Sequence, residues 1–494
     1  MRSEKGYKRV LLIVPGYKKS HYEYAGLPAG VGYISEALDR AGIDQEIVDM
    51  RLGYSYGQLK KRIEEFKPDL IGASMMSFRH KDHYELLDKI KADFQDVDIA
   101  AGGPHLSTFR DKALKVCDSI DYGFTLEGED AIIELCSGEK TLEDIKGLLY
   151  RKEGEIRYTG DRDFILDLDN KGFPKYRFFE RDKYPNFRSL VTSRGCPHSC
   201  IFCPVQLTIG KRLRVRSTES ILGEIDYWYG QGVRVFNVVD DNFTFYKDRI
   251  MAICEGIKNR GYKDISFSCR NGVRADTVDR EMLSAMKDIG FNYLAFGVES
   301  GSDRMLEVIK KGEKLEAIDS AVKEACDLGY MVTLFFIMGL PTETEEDVEK
   351  SLEFAMKYPV FDVRFYNPIP FPGTELYDWV EENGYFDESL GDYLNSFSHW
   401  INKPVFGTPE LPIDSRKVLY ERINDNIKKH TLKTKISFAK DMEKMFTDLG
   451  IPAPISKVLG RVYYTEFFQK YVIETGLASK MKKFLKLLKG GSRT

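Results

Sequence analysis

Short apolar runs and amphipathic stretches alternate along most of this chain, and the alternation predicts its elements. KRVLLIVPG at residues 8–16 predicts a buried strand closed by a Pro-Gly turn. GVGYISEALDRA at 30–41 is a helix stopped by Gly42. Strands follow at 45–50, 69–75 (DLIGASM), 98–101 and 121–125, separated by helical patterns at 59–66 and 83–94. Strands separated by single helices predict an α/β domain, a Rossmann-like doubly wound parallel sheet, over residues 1–146. Ligands of such sheets sit at the carboxyl ends of the strands. Those ends carry Pro15-Gly16, Ser74, Gly102-Gly103 and Glu127-Gly128. Glycine there either lets a backbone approach a large ligand or makes a tight turn.

Residues 147–185 read as a connection that begins with a hairpin, LLYRKEGEIRYTG. The alternation then restarts. A strand at 190–192 leads into a cysteine-rich segment. Further strands are expected at 233–239, ending at Asp240-Asp241-Asn242, and at 265–269, ending at Arg270-Asn271. Three more end at Glu299-Ser300, Gly339-Leu340-Pro341 and Asn367-Pro368. Amphipathic patterns such as 217–229 and 280–289 separate them. Six such units make a partial barrel over residues 186–376, short of the eight that close one, with the site again at the carboxyl ends. From 377 to 494 the pattern is mainly helical. Its last segment, LASKMKKFLKLLK at 477–489, has five lysines and no acid. That helix suits either an anionic membrane surface or docking on its own domain.

The composition adds bounds. With 494 residues, 43% hydrophobic and 30% charged, the chain has room for two or three globular domains. A net charge of −4 gives no overall nucleic-acid footprint, and the apolar runs are too short to predict a membrane-spanning helix. The missing signal peptide and reduced cysteines lead us to expect a cytoplasmic protein, working without oxygen if it carries an open cluster.

The chemistry sits in Ser193-Arg-Gly-Cys196-Pro-His-Ser-Cys200-Ile-Phe-Cys203-Pro204. Three thiolates at CxxxCxxC spacing can hold three irons of a cubane cluster, leaving a fourth without a protein ligand. Electron-carrier clusters use four cysteines. A zinc knuckle remains the alternative, with His198 between the cysteines, but zinc sites pair CxxC units with a second pair and none follows here. Cys117, Cys136, Cys254, Cys269 and Cys326 are scattered singly, as buried small side chains are.

This loop resembles the signature of the radical S-adenosylmethionine (SAM) superfamily, including Phe202 before the last cysteine. Asp240-Asp241-Asn242, the Gly297–Ser302 stretch GVESGS, the 339–344 stretch GLPTET and the 370–374 stretch PFPGT are similar to the group with an N-terminal cobalamin-binding domain. Leu27-Pro28-Ala-Gly30, Gly102-Gly103-Pro104-His105 and Glu127-Gly128-Glu129 agree with that group, so the resemblance runs from about residue 8 to 380.

The resemblance implies a [4Fe–4S] cluster on Cys196, Cys200 and Cys203, with SAM chelating the open iron. Phe202 would touch the adenine, Asp240 and Asp241 the amino group, Arg270 the carboxylate, and Glu299 and Ser300 the ribose. Gly339 would line the adenine pocket. A guanidinium suits a planar carboxylate. Cobalamin would lie against Pro15, Gly16, Leu27, Pro28, Ser74, Gly102, Gly103, His105, Glu127 and Gly128. No DxHxxG occurs, so His21 and His105 are the N-terminal candidates near cobalt, and His105 fits a turn beside the nucleotide tail better than a ligand.

The implied activity is a cobalamin-dependent C-methyltransferase acting on an unactivated carbon of a natural product or lipid-like molecule. Its electrons would come from a flavodoxin or ferredoxin. A radical SAM cyclase, coupling enzyme or oxidoreductase without bound cobalamin is the alternative. An electron-transfer or scaffold protein is disfavoured by the missing fourth cysteine. Aromatic stretches at 366–374 and 393–400 either cover the cavity mouth or pack in the core.

Overall fold

The structure, a computed structural model, describes residues 6–16, 26–395 and 403–438, with single positions at 443, 454, 456 and 457. Its first sheet is built from β1 (Arg9–Val14), β2 (Asp44–Asp49), β3 (Leu70–Ser74), β4 (Asp98–Gly102), β5 (Tyr122–Phe124), β6 (Leu148–Lys152) and β7 (Glu155–Tyr158). The connecting helices are α1 (Ala29–Arg40), α2 (Tyr56–Phe66), α3 (His80–Asp93), α4 (Pro104–Phe109), α5 (Asp111–Val116) and α6 (Glu129–Ser137). The strand order is β2-β1-β3-β4-β5-β6-β7, and the first five strands are parallel. The order reverses between β1 and β3, which places the binding crevice of a doubly wound sheet there.

Strand β1 shows why these runs are apolar throughout. Val10, Leu12 and Val14 enter the core on one face, and Leu11 and Ile13 enter a second core on the other. Alternate residues face opposite sides, so a strand covered on both faces has no polar position.

The hairpin that the sequence places in the connection belongs to this sheet. Strand β6 pairs antiparallel with β5, Tyr150 opposite Tyr122, and β7 pairs with β6. Leu148, Leu149 and Tyr150 are buried there. Periodicity reveals a strand but not its neighbour, so the sheet extends past residue 146.

The second module begins with β8 (Phe187–Leu190), β9 (Ser193–Arg194), α7 (Val205–Thr208), β10 (Arg214–Val215) and α8 (Thr218–Gly230). It continues through β11 (Val235–Val238), α9 (Lys247–Arg260), β12 (Ser266–Val273), α10 (Arg280–Asp288) and β13 (Phe291–Glu299). Then come α11 (Asp303–Val308), α12 (Leu315–Asp327), β14 (Met331–Ile337), α13 (Glu345–Ala355) and β15 (Asp362–Tyr366). Strands β8, β11, β12, β13, β14 and β15 form one six-stranded parallel sheet in chain order, the expected partial barrel.

The chain closes with α14 (Glu375–Asn383), β16 (Tyr385–Phe386), α15 (Leu390–Asn395), β17 (Phe406–Gly407) and α16 (Ile413–Ser437). Helix α16 returns to the barrel, where Lys435 Nζ meets Asp362 at 3.0 Å. One hydrophobic cluster runs from Tyr7 through the barrel strands to Ile427, so both modules and α16 share a core. No helix among the described residues is long and apolar enough to cross a membrane. The basic stretch at 477–489 lies outside the described residues, as do positions 396–400 of the second aromatic stretch.

Candidate active site

The cysteine loop leaves the carboxyl side of β8 between two short strands. Strands β9 and β10 pair antiparallel across its base. Gly195 turns the chain at φ +93°, where a Cβ would lie 2.3 Å from the Arg212 carbonyl oxygen. Cys196 N then donates to Gly210 O at 3.1 Å. Further along, Cys203 N donates to Cys200 O at 3.1 Å, and Ile201 N to Ile309 O at 3.1 Å. Ile201 is buried and Phe202 packs on the core, so the loop is anchored between its outer ligands.

All three thiols are free and half-buried. Burial pushes Cys203 up to about 12 and raises Cys196 and Cys200. The positive charges of Lys311 and Arg274 oppose that rise at Cys200 and Cys196. Both cations stand in one buried network. Lys311 Nζ lies 2.9 Å from Glu299 Oε1 and 3.4 Å from Glu313 Oε2, and Arg274 Nη1 donates to Lys311 O at 2.8 Å. Burial works against the charge of Lys311, but Glu299 and Glu313 more than offset it. Neither Arg274 nor Lys311 is singled out by the sequence pattern. Arg274 directly follows β12, which runs past its expected end, and Lys311 follows β13 after the intervening α11.

The donor set fits the cluster that the loop implies. Among the described residues no three His, Cys, Asp or Glu side chains converge on a single-ion site. A tetrahedral zinc draws its ligands to one point, whereas a cubane spreads three cysteines over three irons. Thiolate ligation also benefits from nearby cations, and Lys311 and Arg274 supply them.

The expected SAM residues divide into two groups. Asp241 is partly exposed, raised to about 6 by burial and by Asp240, and its charge is felt at Cys196. Glu299 sits at φ +63° with its carboxylate over Gly297, where a Cβ would lie 2.5 Å from Oε1. Arg270 lies exposed in an irregular stretch of β12, its guanidinium 4.3 Å from the Tyr293 ring centre.

The other three are engaged behind these. Asp240 is buried and accepts from Thr192 N at 2.6 Å, Thr192 Oγ1 at 2.5 Å and Ser193 Oγ at 2.7 Å. These bonds draw Thr192 out of the expected strand, which ends at Leu190. Ser300 is fully buried against α13, its hydroxyl 3.4 Å from Ser351 Oγ. Gly339, at φ +103°, donates its N–H to Glu343 and packs under the Arg416 guanidinium from α16. A Cβ at Gly339 would lie 2.2 Å from Arg416 Nη1.

The carboxyl ends of the first sheet are rich in glycine, which lets a backbone approach a large ligand closely. Pro15 is buried, and Gly16 approaches Met50 O so closely that a Cβ would lie 2.7 Å away. Leu27 is buried and Pro28 precedes α1, whose Gly30 has no atom within 4 Å of a Cβ position. Ser74 and Gly102 end β3 and β4. Gly103 turns at φ +100° against Met75 O, and a Cβ on Gly128 would meet nothing closer than 3.6 Å. Met76 is exposed in the turn after β3.

His105 is buried, its Nε2 at 2.6 Å from Tyr84 Oη and its Nδ1 at 3.4 Å from Ser77 Oγ, so both nitrogens face protein partners. His21 lies outside the described residues. Glu127 turns to Arg194 and Arg214 of the cysteine-loop ribbon.

A three-cysteine loop at the head of a six-stranded partial barrel, beside an open doubly wound sheet, defines a cluster enzyme with a ligand-binding partner domain. Residues 190–355 match the model of the radical SAM superfamily, and residues 19–136 match that of the B12 binding domain. An uncharacterized methyltransferase of Pyrococcus horikoshii is 31% identical over 387 residues, 76% of this chain and 83% of its own. An anaerobic magnesium-protoporphyrin IX monomethyl ester cyclase of Rubrivivax gelatinosus is 25% identical over 464 residues, 88% of this chain and 80% of its own. The structure of the radical SAM methyltransferase TsrM from Kitasatospora setae shares the fold, with a TM-score of 0.67 at 18% identity over 77% of this chain and 79% of that one. The chain belongs to the radical SAM superfamily, in the group with a B12 binding domain. The cofactors of that family are a [4Fe–4S] cluster, SAM and cobalamin.

Proposed function

We propose that this chain is a cobalamin-dependent radical SAM C-methyltransferase acting on an unactivated carbon of a natural product or lipid-like substrate. One observation carries the reading. Helix α4, which starts directly after Gly103, packs on α7, which starts just after Cys203. The two candidate cofactor edges therefore adjoin. The methyltransferase names of the Pyrococcus relative and of TsrM support the reaction type.

In this reading Cys196, Cys200 and Cys203 hold the cluster. Asp241, Glu299 and Phe202 keep their expected places at SAM, and Arg274 and Lys311 join Arg270 as cations for its carboxylate. Asp240, Ser300 and Gly339 hold the loop, α13 and α16 behind the ligand. Pro15, Gly16, Leu27, Pro28, Ser74, Gly102, Gly103 and Gly128 cradle the corrinoid, with His105 and Glu127 supporting the turns. When bound, the reduced cluster supplies the electron that splits SAM into methionine and a 5′-deoxyadenosyl radical, and cobalamin supplies the methyl group. The protein's part is to orient these groups and exclude water. A flavodoxin- or ferredoxin-type donor delivers the electrons.

The test uses full-length chain reconstituted anaerobically with iron, sulfide and hydroxocobalamin. It is given SAM labelled in its methyl group and a metabolite and lipid extract from a strain lacking the gene. The expected result is retained cobalt, 5′-deoxyadenosine and label in a new carbon–methyl bond. The cyclase relative sustains a second reading. 5′-Deoxyadenosine without retained cobalt or label transfer would favour it and end the methyltransferase proposal.

A further inference from the structure

Arg194 and Arg214 stand directly opposite each other in the β9–β10 ribbon. Like charges at opposed positions of an antiparallel pair repel. Arg214 is buried and Arg194 mostly so, their side chains 2% and 12% exposed. A buried charge left without a counter-charge is strongly destabilising. The ribbon closing the cysteine loop therefore cannot supply its own balance.

The balance comes from the other module. Glu127 Oε1 accepts from Arg194 Nη1 at 2.9 Å, and Glu127 Oε2 accepts from Arg214 Nη1 at 2.7 Å. Glu129 meets Arg194 Nη1 at 2.8 Å, and the Tyr33 ring lies 4.6 Å from the Arg194 guanidinium. Arg214 also donates to Ile165 O and Ile209 O, both at 2.9 Å. One carboxylate thus ties the end of β5 to both strands of the ribbon.

The connection continues inward. Leu126 sits at φ +59°, a left-handed backbone that a side chain rarely adopts. It is held there by its N–H, which donates to Ser107 Oγ at 2.8 Å. Ser107 Oγ donates in turn to Gly103 O at 3.3 Å. A continuous set of bonds runs from the Gly103 turn, at the carboxyl edge of the first sheet, to the residue two before Cys196.

We infer that Glu127 is a positioning residue for the iron–sulfur loop: a carboxylate of the N-terminal domain sets the geometry in which the three cysteines of the next domain meet the cluster. The inference rests on the reading that those cysteines hold a cluster. Partners bonded directly to metal ligands change affinity about 10- to 100-fold when removed. Glu127 acts one step further out, through Arg194 and Arg214, so a smaller effect is expected.

The test compares full-length wild type, Glu127→Gln and Glu129→Gln, each reconstituted with iron and sulfide. The readouts are iron retention against a chelator, the electron paramagnetic resonance spectrum of the reduced cluster and its midpoint potential. Glu127→Gln should lose iron several-fold faster than wild type, with a displaced spectrum and potential. Glu129→Gln, which leaves Glu127 in place, should change them less. Equal retention and identical spectra in wild type and Glu127→Gln overturn the inference alone. A wild type that takes up no cluster overturns the cysteine reading and the inference with it. If circular dichroism shows Glu127→Gln unfolded, the pair Glu127→Gln/Arg214→Gln leaves Arg194 with Glu129 and is read instead. A displaced spectrum there supports the inference, and an unchanged one overturns it.

Discussion

Side chains in this molecule are set by burial before they are set by partners. His83 and His105 are held near 3 by the apolar surroundings of α3 and α4, against an ordinary value of 6.5. The unfolded chain takes up protons at both as pH falls below 6.5, and the folded chain does so only near 3. A depressed histidine therefore contributes stability above 6.5 that is lost progressively as pH falls through that window. Each should steepen the acid limb by about 1.4 kcal/mol per pH unit. Urea unfolding of cluster-free protein between pH 4 and 6.5 should show a shallower slope for His105→Gln by about one proton. An unchanged slope would contradict the neutral buried ring. Replacing any one of Cys196, Cys200 or Cys203 by Ala should remove the cluster's visible absorption and SAM cleavage while hardly moving the melting temperature of the cluster-free protein, because each thiol is only half-buried. The cysteines were legible from their spacing because they lie within eight positions. Arg274 and Lys311 were not, because a cation near a thiol is a property of how strand ends are arranged.

At the level of elements, β1, β3 and β14 were legible because burial on both faces writes apolar runs, whereas β8, with the alternating FRSL, was expected at 190–192. Their partners were not. The β6–β7 hairpin reads as a connection until its pairing with β5 is seen, and β9 and β10 are too short to leave a periodic signal. Helix α16 is the element whose role was least legible. Its Arg416 is buried under Phe406, held by Leu411 O at 3.0 Å, and both its Nη atoms lack a hydrogen-bond partner among the described residues. Burial lowers it to about 10 and raises nearby Glu343 to about 7. Gly339 therefore answers to α16 as well as to any ligand. Gly339→Ala should cost more with Arg416 present than in an Arg416→Ala background, with a coupling of about 1 kcal/mol or more in a double-mutant cycle. Simple additivity by urea unfolding would show that the guanidinium does not confine this glycine.

For the whole molecule, the decisive feature is the continuous core, shared by both modules, that runs from Tyr7 to Ile427. Two modules joined by a small polar interface would move and melt separately. Here Tyr176, Phe179 and Tyr184 from the connection enter the same cluster as the barrel strands, and the Tyr176 ring lies 6.0 Å from Trp228. The described residues should unfold as one unit. Calorimetry should give a single transition whose calorimetric and van't Hoff enthalpies agree, and two resolved transitions would rule out a shared core. The β9–β10 ribbon adds a consequence in time. Domains fold largely as units, amino-terminal first, during synthesis. Glu127 emerges from the ribosome well before the two arginines that depend on it. The growing chain thus meets its countercharge already mounted on a finished sheet. A circularly permuted chain that makes the barrel first would expose two paired arginines with nothing to receive them, and would have to wait, misfolded or chaperoned, for its acid.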